Sequence, residues 1–129
     1  MENPYSFSAP TLAFFGDSVY SLLVRKHLCS ENKHSDDLHK ASVKLVNATA
    51  QSHAFSLISD KLSEKEMSVF KRGRNMHTSS VPKNSTVGEY HAATGLEALF
   101  GYLYLNEEFD RINELFSVIW QDFCGNTKL

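Results

Sequence analysis

Apolar residues recur at intervals of three and four along most of the chain, and the elements they predict are helices throughout. Ser8 followed by Pro10 marks a helix start, and apolar positions (Leu12, Phe14, Phe15, Val19, Leu22, Leu23) then run to about Leu28. Residues 30–34 read as a connection. Ser35 with Asp36 and Asp37 can cap a second helix, and Leu38, Ala41, Leu45 and Ala48 keep helical spacing within that helix. Ser63 and Glu66 have capping-box spacing and open a short third helix. Residues 73–85, with Gly73, Pro82 and several Ser, Thr and Asn, read as a loop. Thr86 and Glu89 form a second capping box, opening a helix that reaches about Leu105. A last amphipathic helix near 107–123 carries Phe109, Ile112, Leu115, Phe116, Ile119 and Phe123 on one face. Strand-like alternation and internal repeats are both absent, so the expected fold class is all-α.

Composition narrows this picture. The 129 residues suit one domain, 1–129, and 42% hydrophobic with 22% charged residues is ordinary for a soluble globular protein. Neither an eighteen-residue apolar run nor a basic region followed by an apolar one occurs, so neither membrane span nor secretory signal is expected. The two cysteines, Cys29 and Cys124, have no metal or redox spacing, which suits reduced thiols and a cytoplasmic location. A net charge of −2 argues against a nucleic-acid binder, but its distribution argues the other way. From Met67 to Gly88 there is no Asp or Glu, while Lys71, Arg72, Arg74 and Lys83 fall inside; acids crowd the C-terminal region instead.

Two carboxylates stand alone in apolar segments. Asp17 is the only charged residue between Glu2 and Arg25, and Glu97 the only one between Glu89 and Glu107. Each has glycine nearby (Gly16; Gly95 and Gly101), which allows close helix packing. If the two helices pack face to face, Asp17 and Glu97 meet at one site. Two ionised carboxylates repel there unless one takes a proton or a divalent cation sits between them. Oxygen-only ligands suit Mg²⁺, with Mn²⁺ as a substitute. The alternatives are an Asp17 bonded to backbone amides and a Glu97 directed to solvent. The six histidines form no close ligand pair, and neither a hydrolase elbow nor a phosphate-binding loop motif is present.

Longer stretches carry a resemblance. "FFGDSVY" resembles the signature helix of the ribonuclease III catalytic domain, and "ATGLEALFGYLYL" resembles that domain's second metal-binding helix. "FKRGRNMHTSSVPKNSTVGEYHAATGLEALFGYLYL" closely resembles Mini-ribonuclease III, the catalytic domain without a double-stranded-RNA-binding domain. The likeness runs from about Leu12 to Leu115. It implies a homodimeric, Mg²⁺-dependent endonuclease that cuts double-stranded RNA and leaves 5′-phosphate ends, in bacteria chiefly on large-subunit ribosomal RNA precursors. A ribosomal protein that presents the substrate is a further expected partner.

By this resemblance Asp17 matches the catalytic aspartate, Glu97 the second-helix glutamate, and Phe14 the apolar residue that plugs into the partner subunit. Full-length ribonuclease III has further acids where this chain has Ala13 and Thr94, and Mini-ribonuclease III lacks both. His91 stands where relatives commonly carry Arg. The basic "KRGR" segment (Lys71, Arg72, Arg74), together with Lys83, is the expected grip on the RNA duplex, which is read largely through shape and phosphates. The competing function is a non-catalytic helical dimer that binds structured RNA or a ribosome precursor. It leaves Asp17 and Glu97 without a purpose.

Overall fold

A computed structural model describes residues 3, 6–76 and 85–126, and the described residues are helical with no strand. The helices are α1 (Ala9–Leu28), α2 (Ser35–Val46), α3 (Ala48–Ile58), α4 (Glu64–Arg74), α5 (Val87–Leu105) and α6 (Phe109–Asn126). Short 3₁₀ turns, Cys29–Glu31 and Ser59–Lys61, follow α1 and α3. The expected all-α fold class is what the chain adopts.

Helix α5 is the axis of the fold, packed against α1, α3, α4 and α6. Its sequence dictates this place. Leu96, Ala98, Leu99, Phe100 and Leu103 are buried on every side of the helix, and a helix apolar all round is stable only when surrounded. Tyr20 of α1 fills the space between α5 and α6, edge-on to Phe100 and Phe116 with centroids 5.7 Å from each.

Helix starts follow the sequence closely. Ser8 accepts from the Thr11 amide, with Pro10 in the first turn. Both capping boxes close: the Ser63 amide donates to Glu66 Oε1 at 2.8 Å, and the Thr86 amide to Glu89 Oε1 at 2.9 Å. Three expectations are corrected. Ser35 does not cap α2: it is the first helical residue, and His34 stands at the N-cap without a side-chain bond. The helix expected from Ser35 through Ala48 ends at Val46. Asn47 is extended, its Oδ1 accepts the Ala50 amide at 2.8 Å, and it opens α3 as N-cap. Apolar spacing does not lapse across this one-residue break, so periodicity alone reads straight through it.

The expected loop also starts too early, because Gly73 and Arg74 are helical. Gly73 is there for contact rather than for a turn. A Cβ on it would lie 2.7 Å from the Ala98 Cβ and 2.9 Å from the Gly95 Cα. "KRGR" is therefore the last turn of α4. Lys83 lies outside the described residues.

Candidate active site

The two isolated carboxylates meet because two helices cross with almost nothing between their backbones. A Cβ on Gly16 would fall 1.6 Å from the Glu97 carbonyl oxygen, and one on Gly101 would fall 2.2 Å from the Leu12 carbonyl oxygen. Only glycine fits at either place. Asp17 follows Gly16 and Glu97 sits at the crossing itself, so their side chains emerge beside each other into one groove of about 500 Å³.

Their exposures differ. Asp17 is exposed, at the mouth of the groove; Glu97 is the partly buried member. Burial pushes the Glu97 carboxyl up to about 7. A hydrogen bond from Gln51 works against burial, while the charge of Asp17 and a hydrogen bond with it add to the rise. Glu97 Oε2 accepts from Gln51 Nε2 at 3.2 Å. Nearby, the Tyr20 hydroxyl is buried without a hydrogen-bond partner among the described residues, and its ionisation is pushed upward by burial and then by Glu97.

The residues present fit a hard divalent cation. Two carboxylates in contact, one of them partly desolvated, repel until a proton or a cation joins them, and both offer only oxygen. Among the described residues no group of three or more His, Cys, Asp or Glu able to hold a metal occurs. Ala13 and Thr94 flank the pair in the groove. The Thr94 hydroxyl is engaged on its own helix, donating to the Tyr90 carbonyl at 3.0 Å.

The basic turn lies beside this groove. Gly73 packs on α5 at Thr94, Gly95 and Ala98, one turn from Glu97, and Met76 reaches the groove wall. Lys71 and Arg72 line a separate surface depression, with no lining residue in common with the groove. Lys71 and Arg74 are exposed, whereas Arg72 is half-buried and donates to the Phe7 carbonyl. Arg74 Nε donates to Asn75 Oδ1 at 3.2 Å. Three cations in the last turn also complement the helix dipole, which is reason enough for them to be helical. Phe14, three residues before Asp17, is 82% exposed. His91 is half-buried, its ring 6.1 Å from that of Tyr90.

Sequence reasoning passed over Gln51. Its signal was weak: a single amide inside "NATAQSHAF", with nothing local to tie it to a residue forty-six positions away.

Comparison with known proteins identifies the family and the fold. The model of the Ribonuclease III domain matches residues 10–108. The chain is 46% identical to a Mini-ribonuclease 3 of Thermoanaerobacter, over 88% of this chain and 81% of that one. It is 39% identical to a Mini-ribonuclease 3 of Streptococcus pneumoniae, over 82% and 85%. The X-ray crystal structure of a protein from Fusobacterium nucleatum superposes with a TM-score of 0.83 at 32% identity, covering 91% of this chain and 94% of that one.

Proposed function

The chain belongs to the ribonuclease III domain family and is an endoribonuclease of that type, and from that premise we propose that it is an Mg²⁺-dependent enzyme that cuts double-stranded RNA in the maturation of large-subunit ribosomal RNA precursors. The observation that carries this reading is the contact between the Asp17 and Glu97 carboxyls at the glycine crossing of α1 and α5. These two residues would hold the cation. When bound, Mg²⁺ supplies neutralisation of the charge that gathers on the scissile phosphate during in-line displacement by water.

The chain's own residues supply placement. Glu97, tethered by Gln51, is the fixed member of the pair, and exposed Asp17 is the member that faces the duplex. Lys71 and Arg74 grip phosphates beside the groove. Arg72 contributes its charge from a side chain already anchored on Phe7, and Lys83 is a further cation of the acid-free stretch from Met67 to Gly88. A homodimer, with Phe14 inserted into the partner subunit, sets two sites about a two-fold axis so that each strand is cut once. The exposure of so large an apolar ring supports that role. The site lies in a single 1–129 domain that acts in the cytoplasm, where a ribosomal protein presents the precursor. Among the described residues no helix is long and apolar enough to cross a membrane.

The test is incubation with a long RNA duplex, with and without Mg²⁺, alongside Asp17→Asn. Cleavage requires the cation, and the variant loses it while still binding RNA. Hydrolysis that persists in Asp17→Asn or in excess chelator overturns the reading.

A further inference from the structure

We propose that Gln51 is a positioning residue for Glu97, fixing its carboxylate so that it and Asp17 present one arrangement of oxygens to a divalent cation. The inference rests on the reading that Asp17 and Glu97 hold that cation.

Gln51 lies on α3, one turn past the N-cap Asn47, and is 3% exposed. Its Nε2 donates to the Val46 carbonyl at 2.9 Å and to Glu97 Oε2 at 3.2 Å. The two amide hydrogens thus meet two acceptors. Reversing the amide would set Oε1 against both oxygens, so the orientation is decided by its partners. The cost falls on Oε1, which is buried with no hydrogen-bond partner among the described residues. An apolar side chain of similar size would fill the same space without burying an unpaired Oε1, at the loss of both donated bonds. Packing alone therefore does not favour glutamine here. What glutamine adds is a donor aimed at Glu97 and braced on the α2–α3 joint.

Glu97 needs that brace. The glycine crossing fixes its backbone, but its side chain has three rotatable bonds and a repelling neighbour in Asp17. Thr94 is turned onto its own helix and Ala13 has no polar atom, so neither flanking residue orients the carboxylate. Partners that orient a metal's ligands are typically worth a factor of about 10–100 in metal affinity.

The bland role for Gln51 is to satisfy the Val46 carbonyl at the end of α2. Two variants separate the roles. Gln51→Met keeps the volume without the donor, and Gln51→Asn keeps the amide one methylene short. We measure Mn²⁺ binding to the RNA-free protein by electron paramagnetic resonance, and cleavage kinetics across Mn²⁺ concentrations. The Mn²⁺ Kd is expected to rise roughly tenfold in both variants. The kcat falls at limiting Mn²⁺ and recovers at saturation, with the KM for RNA unchanged. A folded variant with an unaltered Mn²⁺ Kd overturns the inference, whatever its Tm. A measurement on the unmodified chain covers variants that fail to fold: Mg²⁺ is expected to shift the Gln51 side-chain amide resonances, and unmoved resonances overturn the inference. If the unmodified chain binds no Mn²⁺, the cation reading itself fails. Binding by the unmodified chain with indifferent variants removes Gln51 alone.

Discussion

Glu66 and Glu97 are both carboxylates drawn out of water, and their neighbours push them in opposite directions. Glu66 is 6% exposed. Burial raises its pKa, but hydrogen bonds and charge from Arg111, with hydrogen bonds from Ser63, outweigh burial and hold it below the ordinary value. Arg111 Nε and Nη2 each donate to it at 2.9 Å, and Nη2 also reaches the Lys61 carbonyl at 2.7 Å. A lowered folded pKa means stability present above the unfolded value of about 4.3 and lost as pH falls through the folded one. Thermal melts should therefore show a fall in Tm below about pH 4.3 that Glu66→Gln flattens. Glu97 has the reverse sign. With its carboxyl raised to about 7 in the cation-free protein, its contribution is complete below the unfolded value and lost as pH rises through 7. Melts in chelator should show Tm declining over that window. Glu97→Gln should remove the decline, and a profile unchanged by the substitution would refute the assignment.

Among the elements, the crossing of α1 and α5 is the joint on which the site depends. Gly16→Ala would drive a methyl into the Glu97 backbone, so the helices must separate. We expect a loss of about 1–3 kcal/mol in denaturant unfolding, the range for overpacking, and a weaker Mn²⁺ signal because Asp17 and Glu97 part. The joint between α5 and α6 points the other way. Glu107 takes a left-handed φ of 58°, with its amide on the Tyr104 carbonyl and the Glu108 amide on the Leu103 carbonyl. This is a Schellman ending that glycine suits better. Glu107→Gly should gain about 0.5–1 kcal/mol in the same unfolding measurement. Starts of elements were legible because their signals are local, as at Ser8, Ser63 and Thr86. The α2–α3 break was not, because Asn47 interrupts the backbone without interrupting apolar spacing. Gly73 misled for a related reason: glycine marks both turns and close contacts, and only a partner helix distinguishes them.

At the scale of the whole molecule, the proposed assembly and RNA grip make separable predictions. Phe14→Arg should sediment as a monomer if its exposed ring fills a partner's socket, and an unchanged dimer would remove that role. Arg74→Ala should lower cleavage, leave sedimentation unchanged and reduce the log–log salt slope of RNA binding by about one unit. Arg72→Ala should also lower cleavage, with some loss of stability because its anchor on Phe7 goes with it.

The sequence by itself determined the helical class, most helix starts, and the two residues, Asp17 and Glu97, whose charges had no local reason to exist. Those follow from periodicity, capping and composition, which act within a few residues. Only the tertiary structure decided that Asp17 is the exposed member and Glu97 the partly buried one. It alone made "KRGR" a helix end and brought Gln51 to Glu97. These outcomes depend on which backbones can touch, and here that was set by glycines eighty-five residues apart in the chain, Gly16 and Gly101, at one crossing.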